Sequence, residues 1–345
     1  MMQSGNQFQV SGKTVVVTGG SRGLGLAVGQ QLAKRGASVV VVARGEQRLA
    51  EAVKHLEEAA THTISQRFYH ISADLTLPTE AARVIDEVTI WNSGPPDIVW
   101  CCAGTAHPTL FIDTDVSQLE AQISSNYLTS AYTAHAALNC WLRAPWQQMT
   151  PPGSRKHDLG ASQSSRMTPY HLIFTSSMAA FFSITGYGPY NPAKAAIRAL
   201  SDTLSQEMNL YYAAAQNHGN RPVRVHTVFP STILGEALEI ENQIKTDVTK
   251  MLEAGEEGQT SEAIAYKSIK ALERGEELIT TDFTGHILKR TMLGSTRRSI
   301  WAVIGDFFLV GILSVVVFFV RVDMDRKVRQ FGRAFGSSGM KTRQS

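Results

Sequence analysis

Short apolar runs rich in β-branched residues recur along the chain: Thr14–Thr18, Ser38–Ala43, 66–71, 97–101, 171–176 and Val223–Phe229. Each is nearly continuous in apolarity rather than alternating. That is the pattern of strands covered on both faces, as in a parallel sheet. Between them, 24–35, 46–60, 79–91, 116–142 and 189–215 carry apolar residues at three- and four-residue spacing, which predicts helices with one buried face. A helix at 261–274 and a seventh short strand at 277–280 complete the series. Strands alternating with helices imply right-handed βαβ units, so the fold class expected is α/β with a doubly wound parallel sheet.

Two stretches break this rhythm. The segment 143–169 is rich in Pro, Gly, Ser and charge without periodicity, and reads as a surface insertion. The segment 231–258 follows a strand and carries weak helix signals with several acidic residues, as a substrate loop or lid would. The organisation expected is a polar segment at 1–11, one domain at 12–280, an apolar tail at 281–330 and a polar end at 331–345.

The tail changes the picture of a soluble domain. Residues 300–320 are almost wholly apolar, broken only by Asp306. About twenty helical residues span the ~30 Å hydrocarbon layer, whereas the uninterrupted run 307–320 is short for a span and also suits an interfacial element. Arg297 and Arg298 flank one side and Arg321, Arg326, Lys327 and Arg329 the other, so the positive-inside rule gives no orientation. Upstream, Phe283, Ile287, Leu288, Met292 and Leu293 interleave with Lys289 and Arg290, as in an amphipathic surface helix. The expectation is a membrane-associated helical tail. The alternative is a buried core or dimer helix, which leaves a homo-oligomer open.

Composition agrees. Charged residues make up 18% of the 345, below the usual ~25%, which suggests surface that does not face water. A net charge of +3, with no aromatic interleaving of the basic residues, argues against nucleic acid. Cys101, Cys102 and Cys140 form no disulfide framework, no Asn-x-Ser/Thr sequon occurs, and no cysteine–histidine spacing resembles a metal site. The polar first dozen residues carry no signal peptide core. Together these point to a domain in a reducing compartment.

The first run leads directly into Thr18-Gly19-Gly20-Ser21-Arg22-Gly23-Leu24-Gly25, and a helix follows. Glycines there allow a tight turn and close approach of a pyrophosphate to the helix N-terminus, the Rossmann-type arrangement. The second run ends at Ala43-Arg44, where a fold preferring NAD places an acidic residue. Arg44 and Arg22 instead offer two guanidinium groups for a 2′-phosphate, which predicts NADPH. Either arginine alone reads equally as a solvated charge.

Tyr190-Asn191-Pro192-Ala193-Lys194 opens a helix, and its tyrosine and lysine share one face. An ammonium beside a phenol favours phenolate and would bring its pKa from ~10 toward neutrality, giving a proton donor for a developing alkoxide. Ser176-Ser177 closes the strand upstream, where hydroxyls face the ligand crevice of such sheets. Asn126 lies within the 116–142 helix and either bridges a water to Lys194 or is a tolerated polar position.

These pieces, in this order and spacing, resemble the short-chain dehydrogenase/reductase family from about Gly12 to Thr280. The matching residues are Thr18 to Gly25, Asp74-Leu75, Cys102-Ala103-Gly104, Asn126, Ser177 and Tyr190 to Lys194. The resemblance implies a catalytic tetrad of Asn126, Ser177, Tyr190 and Lys194. It also implies cofactor contacts from Gly19, Ser21, Arg22, Gly23, Leu24, Gly25, Arg44, Asp74, Leu75, Ala103, Gly104, Tyr190 and Lys194. Asp74 would lie by the adenine and Lys194 on the nicotinamide ribose. The family often has asparagine where Cys101 or Cys102 stands here. After the sixth strand it usually shows Pro-Gly where this chain has Pro230-Ser231-Thr232, so Pro230 and Thr232 would supply the carboxamide contacts.

Within the family, Gly19, Ser21, Gly23 and Gly25, the run Phe174-Thr175-Ser176-Ser177, Ala195-Ala196-Ile197-Arg198 after the tyrosine motif, and the apolar tail are similar to 3-ketodihydrosphingosine reductases. That resemblance implies NADPH-dependent reduction of a long-chain keto-lipid to dihydrosphingosine in sphingolipid synthesis. The place implied is the endoplasmic reticulum membrane, with the catalytic domain facing the cytoplasm. The rival readings are a membrane reductase of steroids, retinoids or 3-ketoacyl chains, and a membrane-tethered NADPH-binding scaffold without turnover.

Overall fold

The computed structural model describes residues 5–62, 64–143, 168–215, 221–246, 249, 250, 253 and 256–291, with isolated positions between 311 and 334. Seven strands form one parallel sheet in the order β3-β2-β1-β4-β5-β6-β7. They are β1 (Thr14–Thr18), β2 (Ser38–Ala43), β3 (Phe68–Ser72), β4 (Ile98–Cys101), β5 (Tyr170–Thr175), β6 (Val223–Phe229) and β7 (Leu278–Thr280). The central strands β1, β4 and β5 are buried along their whole length, as their unbroken apolar sequences require.

The helices divide between the two faces. On one side, α1 (Gly23–Ala33) and α2 (Glu46–Ala59) share a core with Val15 and Val17 of β1. On the other, α3 (Pro78–Asn92), with its proline in the first turn, covers Val16 and Val40. The predicted 116–142 helix is interrupted. α4 (Val116–Gln122) passes through a π-helical turn, Ile123–Leu128, into α5 (Thr129–Arg143). Such wide turns concentrate at functional sites, and Asn126 sits inside this one.

After β5, α6 (Asn191–Ala215) joins α3 and α5 on the second face. After β6, α7 (Glu236–Ile244) rises from the expected lid. Then α8 (Ser261–Glu273), capped by Thr260, which accepts from the Ala263 amide at 3.2 Å, packs against α1. The last described helix is α9 (Phe283–Thr291).

The central insertion, 144–167, lies outside the described residues, and so does most of the apolar tail. Among the described residues no helix is long and apolar enough to cross a membrane. No group of metal-ligating side chains occurs among them either. Cys101 and Cys102 are free thiols, as expected; Cys101 is fully buried and Cys102 partly so.

Candidate active site

Strand order turns outward on either side of β1, so β2 and β4 depart from it in opposite directions and leave a crevice beyond their C-terminal ends. The glycine turn lines one wall. Gly19 N–H donates to Val42 O at 2.8 Å, fastening the turn to β2. Gly19 has φ of 65°, and a side chain there would come within 2.8 Å of the Ala103 backbone. Gly25 packs against the Gly19 carbonyl with no space for a Cβ. Residue 22 is extended, no side chain caps α1, and no acidic group stands in its first turn. A helix start with unclaimed amides and a positive dipole end, beside a backbone this closely packed, suits the phosphates of a dinucleotide.

The other wall carries Cys102, Ala103 and Gly104. Thr18 Oγ1 accepts from the amides of Cys102 at 3.2 Å and Ala103 at 3.3 Å, tying the end of β1 to the loop after β4. A Cβ on Gly104 would lie 2.6 Å from Asn126 Oδ1 and 3.2 Å from Lys194 Nζ, so two of the four tetrad side chains converge on that residue.

Asn126 is wholly buried. Its Nδ2 donates to Thr105 O at 2.8 Å and Gln122 O at 3.0 Å, and its Oδ1 accepts from Thr105 N at 3.2 Å. The π-turn thus aims Asn126 at the backbone of the β4 loop and fixes that loop's position.

Lys194 is buried, and its ammonium donates to Thr175 O at 3.2 Å at the end of β5. Ser176 Oγ donates to Lys194 O at 2.8 Å and pins the same turn of α6 to the strand. Ser177 hydrogen-bonds the Tyr190 phenol, and its Oγ also accepts from the Ala179 amide at 3.2 Å. Lys194 Nζ lies 5.5 Å from the centre of the Tyr190 ring. Ser177, Tyr190 and Lys194 therefore meet at the mouth of the sheet, joined through Gly104 to Asn126.

The expected electrostatics of the pair are corrected. An ammonium-acidified phenol was the expectation, but burial pushes the Tyr190 phenol up; the Ser177 hydrogen bond pulls it down and Glu241 pushes it further up. Burial also lowers the Lys194 ammonium to about 8. Desolvation is the largest influence on both groups. A phenol held protonated at neutral pH is a donor, which fits reduction better than oxidation.

The remaining predicted residues are placed less uniformly. Asp74 Oδ1 accepts from the Thr76 hydroxyl at 2.7 Å and amide at 3.1 Å, which holds its carboxyl below the usual range; the Arg44 charge adds to that. Leu24 and Leu75 are buried beside the two walls. Thr232 gives its hydroxyl to Glu256 at 2.7 Å, so that side chain is spent within the lid rather than offered to a ligand. Pro230 O accepts from the Met178 amide at 3.1 Å and joins the lid's root to the turn after β5.

Arg44, after the end of β2, accepts at its carbonyl from the Ser72 hydroxyl at 3.0 Å, and its charge acts on Asp74. Arg22 donates to Glu236 at 2.9 Å, and the second guanidinium on that carboxylate belongs to Arg48, at 3.1 Å. Arg48, then Arg22, hold the Glu236 carboxyl below its usual range. Sequence reading missed Arg48, although its place four residues after Arg44, in the first turn of α2, was a usable signal.

The lid's far end was missed too. Lys245, almost wholly buried, donates to Glu253 at 2.7 Å, and the Tyr187 hydroxyl donates to Glu241 at 3.5 Å. Tyr187 stands 5.8 Å from Tyr190, ring to ring, so the lid rests against the catalytic tyrosine's neighbour. Burial raises both the Tyr187 phenol and the Glu241 carboxyl.

Comparison with known proteins bears on this geometry. Residues 13–148 match the family described as short chain dehydrogenase. The chain is 45% identical to 3-ketodihydrosphingosine reductase ksrA of Aspergillus fumigatus, over 95% of this chain and 86% of that one. It is 36% identical to 3-ketodihydrosphingosine reductase gsl-3 of Neurospora crassa, over 97% and 87%. Among solved structures, a short chain dehydrogenase/reductase from Burkholderia phymatum in complex with NAD superposes with a TM-score of 0.63 at 16% identity, covering 82% of this chain and 94% of that one, a likeness of fold.

Proposed function

The chain belongs to the short-chain dehydrogenase/reductase family, and on that footing we propose that it is an NADPH-dependent reductase of the 3-keto group of 3-ketodihydrosphingosine, yielding dihydrosphingosine in sphingolipid synthesis. The observation that carries this reading is the meeting of Ser177, Tyr190 and Lys194 at the sheet mouth, in a chain alike over nearly its whole length to reductases named for that substrate.

The nicotinamide dinucleotide, when bound, supplies the hydride that reduces the carbonyl carbon. Gly19, Ser21, Gly23 and Gly25 would hold its phosphates, Asp74 and Leu75 would flank the adenine, and Ala103 and Gly104 would back the ribose. Lys194 would hold the ribose, its position kept by the hydrogen bond to Thr175 O. Ser177 donates a hydrogen bond toward the ketone oxygen and Tyr190 gives it the proton. Asn126 keeps the loop after β4 seated beside Lys194. Basic groups at Arg22 and Arg44, with no acid at the end of β2, support NADPH over NADH.

We further place the enzyme at the endoplasmic reticulum membrane with its catalytic domain in the cytoplasm. The apolar stretch 307–320 between basic flanks supports this, as does exposure of Val315 and Phe319. A long alkyl chain gains ~0.8 kcal/mol per CH2 buried in lipid, so an enzyme acting on it benefits from standing there.

The test is NADPH consumption by the full-length chain with 3-ketodihydrosphingosine against a panel of steroids, retinoids and 3-ketoacyl chains. Preferred turnover of the sphingoid ketone is expected, and turnover confined to another member would overturn the substrate. Tyr190→Phe is expected to abolish turnover while NADPH affinity stays within about twofold, since proton donation is worth roughly 10²–10⁴ in rate. Normal turnover in that variant would refute the catalytic assignment.

A further inference from the structure

The lid meets the glycine turn at a carboxylate, Glu236, which pairs with Arg22. α7 starts after Gly235, whose φ of 136° is open to glycine alone, and Glu236 is the first residue of the helix. Glu236 Oε2 accepts from Arg22 Nη1 at 2.9 Å and Arg48 Nη1 at 3.3 Å, and Oε1 accepts from Arg48 Nη2 at 3.1 Å. Arg22 sits directly before α1 and Arg48 in the first turn of α2, so the two guanidinium groups come from the elements that follow β1 and β2.

Two features of this contact point to a ligand. The guanidinium fork that grips a carboxylate with two parallel hydrogen bonds grips a phosphate in the same way. Two cations around one monoanion also leave a surplus positive charge. A phosphate monoester, at about −1.5 to −2, matches it better than a carboxylate does.

We propose that Arg22 and Arg48 form the seat of the dinucleotide 2′-phosphate, and that Glu236 is its internal occupant, an anionic plug carried by the lid helix that yields the seat when a 2′-phosphate enters. This rests on the NADPH reading and sharpens it, because Arg48 takes a role that the end of β2 assigns to Arg44. It also ties cofactor choice to the lid. With Glu236 released, the start of α7 is freed at Gly235. The far end stays anchored by Lys245 on Glu253 and by Thr249 Oγ1 on Thr185 O at 3.1 Å. A dinucleotide without the 2′-phosphate leaves the plug in place.

The test is equilibrium binding of NADPH and NADH to the full-length wild type, Glu236→Gln, Glu236→Ala, Arg48→Ala and the Arg48→Ala/Glu236→Gln double variant. Removing the plug is expected to tighten NADPH by about three- to tenfold, the scale of a pair of exposed ion pairs, and to leave NADH within about twofold. Arg48→Ala is expected to weaken NADPH by about tenfold with NADH unchanged, and the gain from Glu236→Gln should shrink in its background. Hydrogen exchange supplies a readout without turnover. NADP+ should speed exchange across Glu236–Ile244, and NAD+ should not. Equal shifts for both cofactors, or no shift on removing the plug, overturn the proposal while a wild-type preference for NADPH leaves the cofactor reading standing. Equal affinity of the wild type for NADPH and NADH refutes the cofactor reading and the plug with it.

Discussion

The Lys194 ammonium donates to the carbonyl oxygen of Thr175 at 3.2 Å, at the point where β5 ends and the crevice begins. One hydrogen bond to a neutral oxygen is little compensation for a buried cation, and burial lowers this group from 10.5 to about 8. The residue that holds the site together therefore weakens the fold that carries it.

Replacing it exposes that conflict. A shift of this size amounts to roughly 3–4 kcal/mol, at ~1.4 kcal/mol per unit, against roughly 1.5–3 kcal/mol for the lost hydrogen bond from a charged donor. Lys194→Met is expected to abolish turnover and raise Tm at pH 7. The folded-state pKa is depressed, so the unfolded chain takes up the proton first as pH falls from 10.5 toward 8. The stability gap between variant and wild type should open over that window and stay constant below it. Thermal melts across pH 7–11 check this, and a lower Tm at pH 7 would contradict it.

The buried imidazoles of His171 and His226 set a second pH dependence. They lie 3.0 Å apart, and His226 Nδ1 donates to Glu276 O at 2.8 Å, an arrangement for two neutral rings. Burial lowers both, His226 to about 4. Between the unfolded value of ~6.5 and about 4 the unfolded chain binds more protons, so stability is complete above ~6.5 and falls with pH below it. Urea unfolding at pH 7 and pH 5 should show the loss, and His226→Gln should flatten it.

Gly104→Ala tests the convergence of the tetrad. The added methyl meets Asn126 Oδ1 at 2.6 Å and Lys194 Nζ at 3.2 Å, so one of them must move. A displacement approaching 1 Å at reacting groups lowers rate by about 10²-fold. The expected result is a fall of that order in kcat with the far-ultraviolet spectrum unchanged; an unaltered kcat would show that the contact does not matter.

Asn126→Asp reverses two hydrogen bonds at once. A carboxylate would face Thr105 O and Gln122 O, where the amide now donates. Buried, unsatisfied charge of this kind costs roughly 3–5 kcal/mol. The variant should melt well below wild type, while Asn126→Ala, without the repulsion, should melt between them.

The sequence carried the strands closely. β1, β2 and β6 have the bounds of their apolar runs, because a fully covered strand writes its burial into consecutive residues. The glycine turn was legible for a related reason: Gly19 and Gly25 have no space for a side chain, and that requirement is local. The break of the long helix around Asn126 was not legible. Nothing in the composition of Ile123–Leu128 favours a wider turn, which answers to the Thr105 backbone across the crevice.

What the sequence determined by itself is therefore the order of elements, the strand-turn-helix that suits a dinucleotide and the presence of serine, tyrosine and lysine in a reductase's order. Each follows from near neighbours along the chain. Tertiary structure alone decided that Arg22 meets Arg48 through Glu236 and that burial raises the Tyr190 phenol. Ion pairing and desolvation sum over everything packed around a group, and in a doubly wound fold those surroundings come from distant parts of the chain.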